Sequence, residues 1–404
     1  MSSTIDLEER YGAHNYAPLP VVLTRGEGVY VWDTDDRRYL DMMSAYSAVS
    51  LGHCHPRVVK ALTDQAARLA VVSRAFYTDR LGPFLERACA LTGQEAALPM
   101  NSGAEAVETA VKAARKWAYT MKGVPADGAE IIACDGNFHG RTIAAVAMSS
   151  EDQYRDGFGP FPGGIRLIPF GDSAALAAAV TPRTAAFLVE PIQGEGGIVI
   201  PPEGYLAECR RICSERNVLL LADEIQTGLG RTGRLLACEH EDVVPDGLML
   251  GKALGGGLLP VSLFLARHEV MDVFGPGDHG STFGGNPLAA AVGLEALNAI
   301  VDEELAARSA ALGDQLLRGL RAIDSLLVKE VRGRGLFVGM EMRPEKVTAR
   351  AVCERLMNHG VLSKETHETV VRFAPPLIIT HEQVEWAVGQ VRKVLTAMEE
   401  DLAA

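Results

Sequence analysis

One stretch near the middle of the chain, Val218 to Thr227, restricts the fold more than any other. Val218-Leu219-Leu220-Leu221-Ala222 is uninterruptedly apolar and then stops at two carboxylates, Asp223 and Glu224. A short apolar run without polar alternation reads as a strand buried on both faces, as in a parallel sheet covered by helices. Leu248-Met249-Leu250 repeats the pattern and ends in Gly251-Lys252. The acid and the lysine, each at the carboxyl end of a buried strand, stand where open α/β sheets bind ligands.

A lysine held at such a place can attach to a carbonyl. An acid there can keep a pyridinium nitrogen protonated, so that the ring withdraws electrons. Pyridoxal 5'-phosphate (PLP) needs that pair. Taken alone, however, a lysine and an aspartate at strand ends are ordinary surface charges, and the assignment depends on further residues that suit the same cofactor.

The 404 residues allow one to three domains, and a hydrophobic fraction of 48% against 23% charged residues is enough for a sizeable core. A formal charge of −13 argues against a nucleic-acid binder, which would show a basic patch. Seven cysteines without regular spacing point to reduced thiols and an intracellular protein. Met1 to Arg10 lacks the basic start and apolar core of a secretory signal, and no stretch approaches the ~20 apolar residues of a membrane span. A soluble, cytoplasmic protein is expected.

The chain opens with a proline-limited arm, residues 12–20, followed by a hairpin from Gly26 to Leu40 that turns at Asp33–Asp36. His53 and His55, in Gly52-His53-Cys54-His55-Pro56, read as a turn before a helix; no second His or Cys cluster completes a metal site, and no metal is expected. Residues 57–118 look helical, broken near Asn101. There Asn101-Ser102-Gly103-Ala104 opens a helix with Val107, Ala110, Val111 and Ala114 on one stripe. The free N–H groups of Ser102, Gly103 and Ala104 suit a phosphate, and a plain N-cap explains the same residues. Ile131–Asp135 is a short strand followed by Phe138, able to cover a ring, and Arg141, able to grip a carboxylate.

Strands alternating with helices between about 95 and 290 indicate a largely parallel sheet. Gly228-Leu229-Gly230-Arg231-Thr232-Gly233 matches a dinucleotide-binding fingerprint in letters only, because it neither follows a strand directly nor opens a helix. A second polar glycine loop, Gly280-Ser281-Thr282-Phe283-Gly284-Gly285, offers a hydroxyl and N–H groups to phosphate. From Ala306 the pattern becomes α+β and closes on a helix with Thr380 and Gln383 as a capping box and Val384, Val388, Val391 and Leu395 as its apolar stripe. The expected division is an arm and hairpin over 1–50, a large domain over 51–300 and a small domain over 301–404, with the hairpin joining the small domain.

Assembled, these residues resemble the class III PLP-dependent aminotransferases of fold type I. The likeness runs from about Tyr11 to Pro376 and is strongest toward the ornithine branch of that family. It is carried by His14-Asn-Tyr-Ala-Pro-Leu-Pro20, Ser44-Ala-Tyr-Ser-Ala-Val49, Ser73-Arg-Ala-Phe-Tyr77, Glu190-Pro-Ile-Gln-Gly-Glu195, Ala222-Asp-Glu-Ile-Gln-Thr-Gly228 and Arg372-Phe-Ala-Pro-Pro376. The resemblance implies an α/β fold with a mostly parallel seven-stranded sheet and a smaller α+β domain built from both termini. It implies that Lys252 carries the cofactor and moves the proton, and that Asp223 pairs with the ring nitrogen. It further implies that Gln226 meets the phenolic oxygen, Phe138 stacks on the ring, and Ser102, Gly103 and Ala104 hold the phosphate. Ser281 and Thr282 would complete the phosphate site from a partner subunit, making the protein a homodimer or a higher oligomer.

For substrates, the resemblance implies that Tyr16 and Arg141 take the distant carboxylate of ornithine, with Tyr46 nearby. Arg372 would take the α-carboxylate of glutamate or 2-oxoglutarate, and Glu195 would mask Arg372 during the ornithine half-reaction. His139 departs from this pattern, since tryptophan is common there in the ornithine branch; Phe138-His139-Gly140-Arg141 is more like the N-acetylornithine and 4-aminobutyrate branches. These branches are the alternatives, and His139 bears on how the remote end of the pocket is sealed. A non-catalytic regulator on the same fold is the rival from another class.

Overall fold

A computed structural model describes residues 3–403. Its centre is a seven-stranded sheet in the order Ala96–Met100, Ser262–Ala266, Gly247–Leu250, Leu219–Asp223, Thr184–Val189, Glu130–Cys134, Ile165–Ile168. The last five strands pair in parallel, while Ser262–Ala266 runs antiparallel to both of its neighbours. Every residue of the four strands from Thr184 to Ala266 is buried. Alternate side chains enter opposite cores: Leu220, Ala222, Leu248 and Leu250 pack on one face, Leu219, Leu221 and Met249 on the other. The second core is closed by the helix Gly103–Thr120, through Val107, Ala110, Val111, Ala114 and Trp117.

The region read as helical over 57–118 contains a strand that the local pattern hides. Helices occupy Pro56–Ala66, Leu81–Thr92 and Gly103–Thr120, but Ala96–Met100 is the antiparallel edge strand of the main sheet. Pro99 is tolerated there because an edge strand leaves one row of N–H groups unpaired. His53 and His55 turn to separate partners, Asp41 at 2.8 Å and Glu303 at 3.1 Å.

Two four-stranded sheets lie outside the main one. The first joins Leu23–Glu27, Tyr30–Asp33 and Arg38–Asp41 to the C-terminal Val361–Leu362, and the second comprises Val328–Arg334, Phe337–Met342, Val370–Phe373 and Lys364–Thr366. The final helix, His381–Ala403, buries Val384, Val388, Val391 and Leu395, and Thr380 and Gln383 exchange the two hydrogen bonds of a capping box. No helix among the described residues is long and apolar enough to cross a membrane.

The glycine-rich loop 228–233 opens no helix. It delivers Arg231, fully buried, into the seam between the sheets, where Nη1 donates to the carbonyls of Leu336 (2.9 Å) and Pro375 (2.6 Å). Nη2 donates to Ser44 Oγ (3.2 Å) and Ser50 Oγ (2.9 Å). Gly335, at φ +58°, lets the chain approach this loop: a Cβ there would lie 2.8 Å from the Arg231 carbonyl oxygen. Ser44, Ala45, Tyr46 and Ser47, between the two serines' ends of the clamp, all have positive φ, from 43° to 74°. Four consecutive non-glycine residues in the left-handed region are costly, and Arg231 holds both flanks of that turn.

Candidate active site

The carboxyl ends of the central strands surround a cavity of about 190 Å³ lined by Gly103, Ala104, Phe138, His139, Glu190, Asp223, Ile225, Gln226 and Lys252. Asp223 ends its strand with a nearly buried carboxylate. Oδ1 accepts the Ile225 N–H at 3.2 Å, and Oδ2 lies 2.7 Å from His139 Nδ1. Lys252 follows the adjacent strand by two residues and sits at φ +44°, a conformation that β-strand continuation would not allow. Burial lowers its pKa below the usual ammonium value, against the opposing charges of Glu195, Asp223 and Glu190, with Arg372 adding to the drop.

His139 is the residue at which the chain departs from the ornithine branch. The structure places it behind Asp223, fully buried; burial would lower its pKa, but the hydrogen bond and charge of Asp223 raise it. It therefore backs the carboxylate. Its Nε2 finds no hydrogen-bond partner among the described residues.

The phosphate-type donors are partly committed. Ser102 caps the helix Gly103–Thr120: its Oγ accepts the Glu105 N–H at 3.3 Å, and Glu105 Oε2 accepts the Ser102 N–H at 2.7 Å. Gly103 and Ala104, the first two residues of the helix, keep N–H groups without a partner among the described residues, and both line the cavity. Ser281 Oγ accepts from Asn101 Nδ2 at 2.9 Å, which ties its loop to the same helix start. Thr282 is exposed and does not line the cavity of its own chain.

The substrate-side residues divide into two states. Arg372 is buried and its Nη1 lies 2.5 Å from Glu195 Oε1, with the guanidinium 4.8 Å from the centre of the Tyr46 ring. Burial alone would raise the Glu195 pKa; Arg372, then Lys252, hold it below the ordinary carboxylate value. Thr366 Oγ1 donates to the Glu195 carbonyl at 2.6 Å, and Gln226 Nε2 lies 3.4 Å from the Tyr46 carbonyl oxygen. Arg141, by contrast, is exposed and makes no ion pair among the described residues. Tyr16 stands 73% exposed on the N-terminal arm.

A family model, Aminotransferase class-III, matches residues 11–395. The chain belongs to the class III aminotransferases. It is thus a PLP-dependent transaminase. Its relatives include the ornithine aminotransferases of Geobacillus sp. (strain WCH70), 58% identical over 98% of each chain, and of Bacillus subtilis (strain 168), 58% identical over 97% of each. A crystal structure of the ornithine aminotransferase from Toxoplasma gondii, with PLP at partial occupancy at its active site, superposes with a TM-score of 0.98 at 46% identity, covering 99% of this chain and 95% of that one. The acetylornithine aminotransferase from Elizabethkingia anophelis gives a TM-score of 0.88 at 47% identity, covering 97% and 98%.

The donor set fits what this transaminase family uses. Free N–H groups at a helix start suit a phosphate, a buried carboxylate suits a ring cation, and the Phe138 ring and Ile225 supply apolar walls. Three further residues stand around the site. Glu190 is buried, accepts the Phe138 N–H at 3.0 Å and the Gly194 N–H at 3.2 Å, and burial pushes its pKa up to about 7. Arg231 and Tyr154 are the others. A carboxylate directly after the buried strand Thr184–Val189 was the available signal for Glu190; nothing local marks the remaining two.

Proposed function

We propose that this transaminase moves the δ-amino group of L-ornithine to 2-oxoglutarate, giving glutamate and glutamate 5-semialdehyde, which cyclises to pyrroline-5-carboxylate. One observation carries the reading: of the two arginines that the resemblance assigns to substrate carboxylates, Arg372 is buried and masked by Glu195 at 2.5 Å, while Arg141 has no carboxylate partner among the described residues. A donor whose amine reacts far from its carboxylate needs a free remote cation and a covered near one. An acceptor that reacts beside its carboxylate needs the near cation uncovered. Movement of Glu195 away from Arg372 between the two half-reactions meets both needs, and unlike charges in a poorly solvated pocket make the mask effective. The 58% identity to proteins named ornithine aminotransferase supports the same substrate.

PLP, when bound, supplies the electron sink that eases proton removal at the carbon bearing the amine. Gly103 and Ala104 would hold its phosphate with Ser102 beside them, Phe138 would cover the ring, and Gln226 would meet the phenolic oxygen. Asp223, backed by His139, would keep the ring nitrogen protonated. Lys252 would anchor the group and then carry the proton, and burial, which lowers its pKa below the usual ammonium value, favours the neutral amine that both tasks need. Tyr16 and Arg141 would take the α-carboxylate of ornithine, with Tyr46 above Arg372. Ser281 and the exposed Thr282 would serve the phosphate site of a second copy, in a homodimer. In a bacterial cytoplasm the reaction would connect ornithine and arginine breakdown to proline and glutamate.

Mixing the PLP-loaded protein with ornithine alone is expected to shift the visible absorbance of the cofactor in a single half-reaction. Conversion with N-acetylornithine or 4-aminobutyrate but not with ornithine overturns the substrate assignment. Lys252→Ala is expected to retain cofactor and lose turnover; a wild-type protein that binds PLP and converts no amine donor would instead be the non-catalytic regulator.

A further inference from the structure

Arg141 is held in an unusual way for an arginine awaiting a carboxylate. No ion pair fixes it among the described residues; its guanidinium lies against the Tyr154 phenol, 3.5 Å from the centre of that ring and 5.4 Å from that of Phe138. The two rings brace each other edge to face, 6.1 Å apart at 86°. Tyr154 belongs to the single turn Asp152–Arg155, which has little stability of its own. The turn is pinned from below by Arg155, whose Nη1 lies 3.2, 2.9 and 3.1 Å from the carbonyl oxygens of Val146, Ala147 and Ser149. Arg155 in turn stacks on Phe161 at 4.7 Å. An arginine with free rotamers loses much of that freedom when it binds, which weakens binding. A carboxylate partner would remove the loss but would compete with the substrate's own carboxylate. An aromatic face orients the cation without a competing charge and leaves N–H groups at the guanidinium edge for a carboxylate.

We propose that Tyr154 is a positioning residue for substrate recognition: its ring presents the Arg141 guanidinium to the carboxylate of the amine donor. This rests on Arg141 as the receptor of that carboxylate. The contrast with Arg372 is chemical. Glu195 covers Arg372 by charge and must leave before it can work, whereas Tyr154 supports Arg141 without charge and can stay in place through turnover.

The test compares Tyr154→Ala and Tyr154→Phe with wild type in the PLP-loaded enzyme, varying the amine donor and 2-oxoglutarate separately. Tyr154→Ala is expected to raise KM for the donor about tenfold, the scale of a cation–π contact, with kcat within about twofold and KM for 2-oxoglutarate unchanged. Tyr154→Phe, which keeps the ring face, is expected to restore the donor KM to within about twofold of wild type. Equal losses for donor and acceptor, an unchanged donor KM in the alanine variant, or a phenylalanine variant as impaired as alanine would each overturn the proposal. Should wild type convert N-acetylornithine and not ornithine, the substrate assignment fails by itself, and the same ratios measured with N-acetylornithine decide the role of Tyr154.

Discussion

Arg231 offers a perturbation whose stability and activity effects should separate. Replacing it by methionine removes donors from two buried carbonyls, Leu336 and Pro375, at about 1–3 kcal/mol each, or about 2–6 kcal/mol together. The opposing effect is of similar size. Burial pulls the guanidinium pKa from 12.5 down to about 9, with no carboxylate in contact among the described residues, and that drop corresponds to about 5 kcal/mol at most. The two nearly cancel, so Arg231→Met should unfold in urea within about 3 kcal/mol of wild type. The left-handed turn has no such compensation. Its four residues hold about 1–2 kcal/mol of strain each, and the clamp on Ser44 and Ser50 disappears with the guanidinium. Tyr46 should then leave its place over Arg372, and a displacement of about 1 Å near the reacting groups is worth about a hundredfold in rate. Steady-state kinetics of Arg231→Met should therefore show kcat/KM reduced about a hundredfold in a protein of near-normal stability. Arg231→Lys should be less stable than the methionine variant by about 1–3 kcal/mol, because one ammonium has three donors for four acceptors and still suffers desolvation. A methionine variant with wild-type kcat/KM would refute the claim that Arg231 holds the turn.

Glu195→Gln should uncover Arg372 and shift preference toward α-amino donors: the rate with glutamate relative to ornithine, followed by single half-reactions, rises about tenfold or more, and an unchanged ratio rejects the masking role. Glu190 gives a pH prediction. Its pKa is about 7 folded against 4.5 in a free chain, so the folded state holds the extra proton and wild type loses stability as pH rises from about 4.5 through about 7. The loss is about 3 kcal/mol at most, and Glu190→Gln should not show it. Parallel unfolding profiles for the two proteins between pH 5 and pH 8 would contradict the buried, protonated carboxyl.

The strands and caps of this protein are decided locally. Val218–Ala222 and Leu248–Leu250 can bury both faces only inside a helix-covered sheet, and Thr380 with Gln383 closes its helix start by short-range hydrogen bonds alone. Asp223 and Lys252 inherit their positions from those strands, which is why the centre of the site is legible in the order of residues. Ala96–Met100 is different: with Pro99 inside it and helices on either side, it becomes a strand only because Ser262–Ala266 offers a ladder to join. His139 backs Asp223 across 84 residues, and Glu195 covers Arg372 across 177. Arg231 grips Ser44 across 187. A buried charge must find a partner wherever the topology happens to bring one, and no local pattern records which distant segment that will be. Side-chain periodicity therefore determined the sheet and the reactive pair, while the masking, the backing and the strained turn around them were decided only by the packed chain.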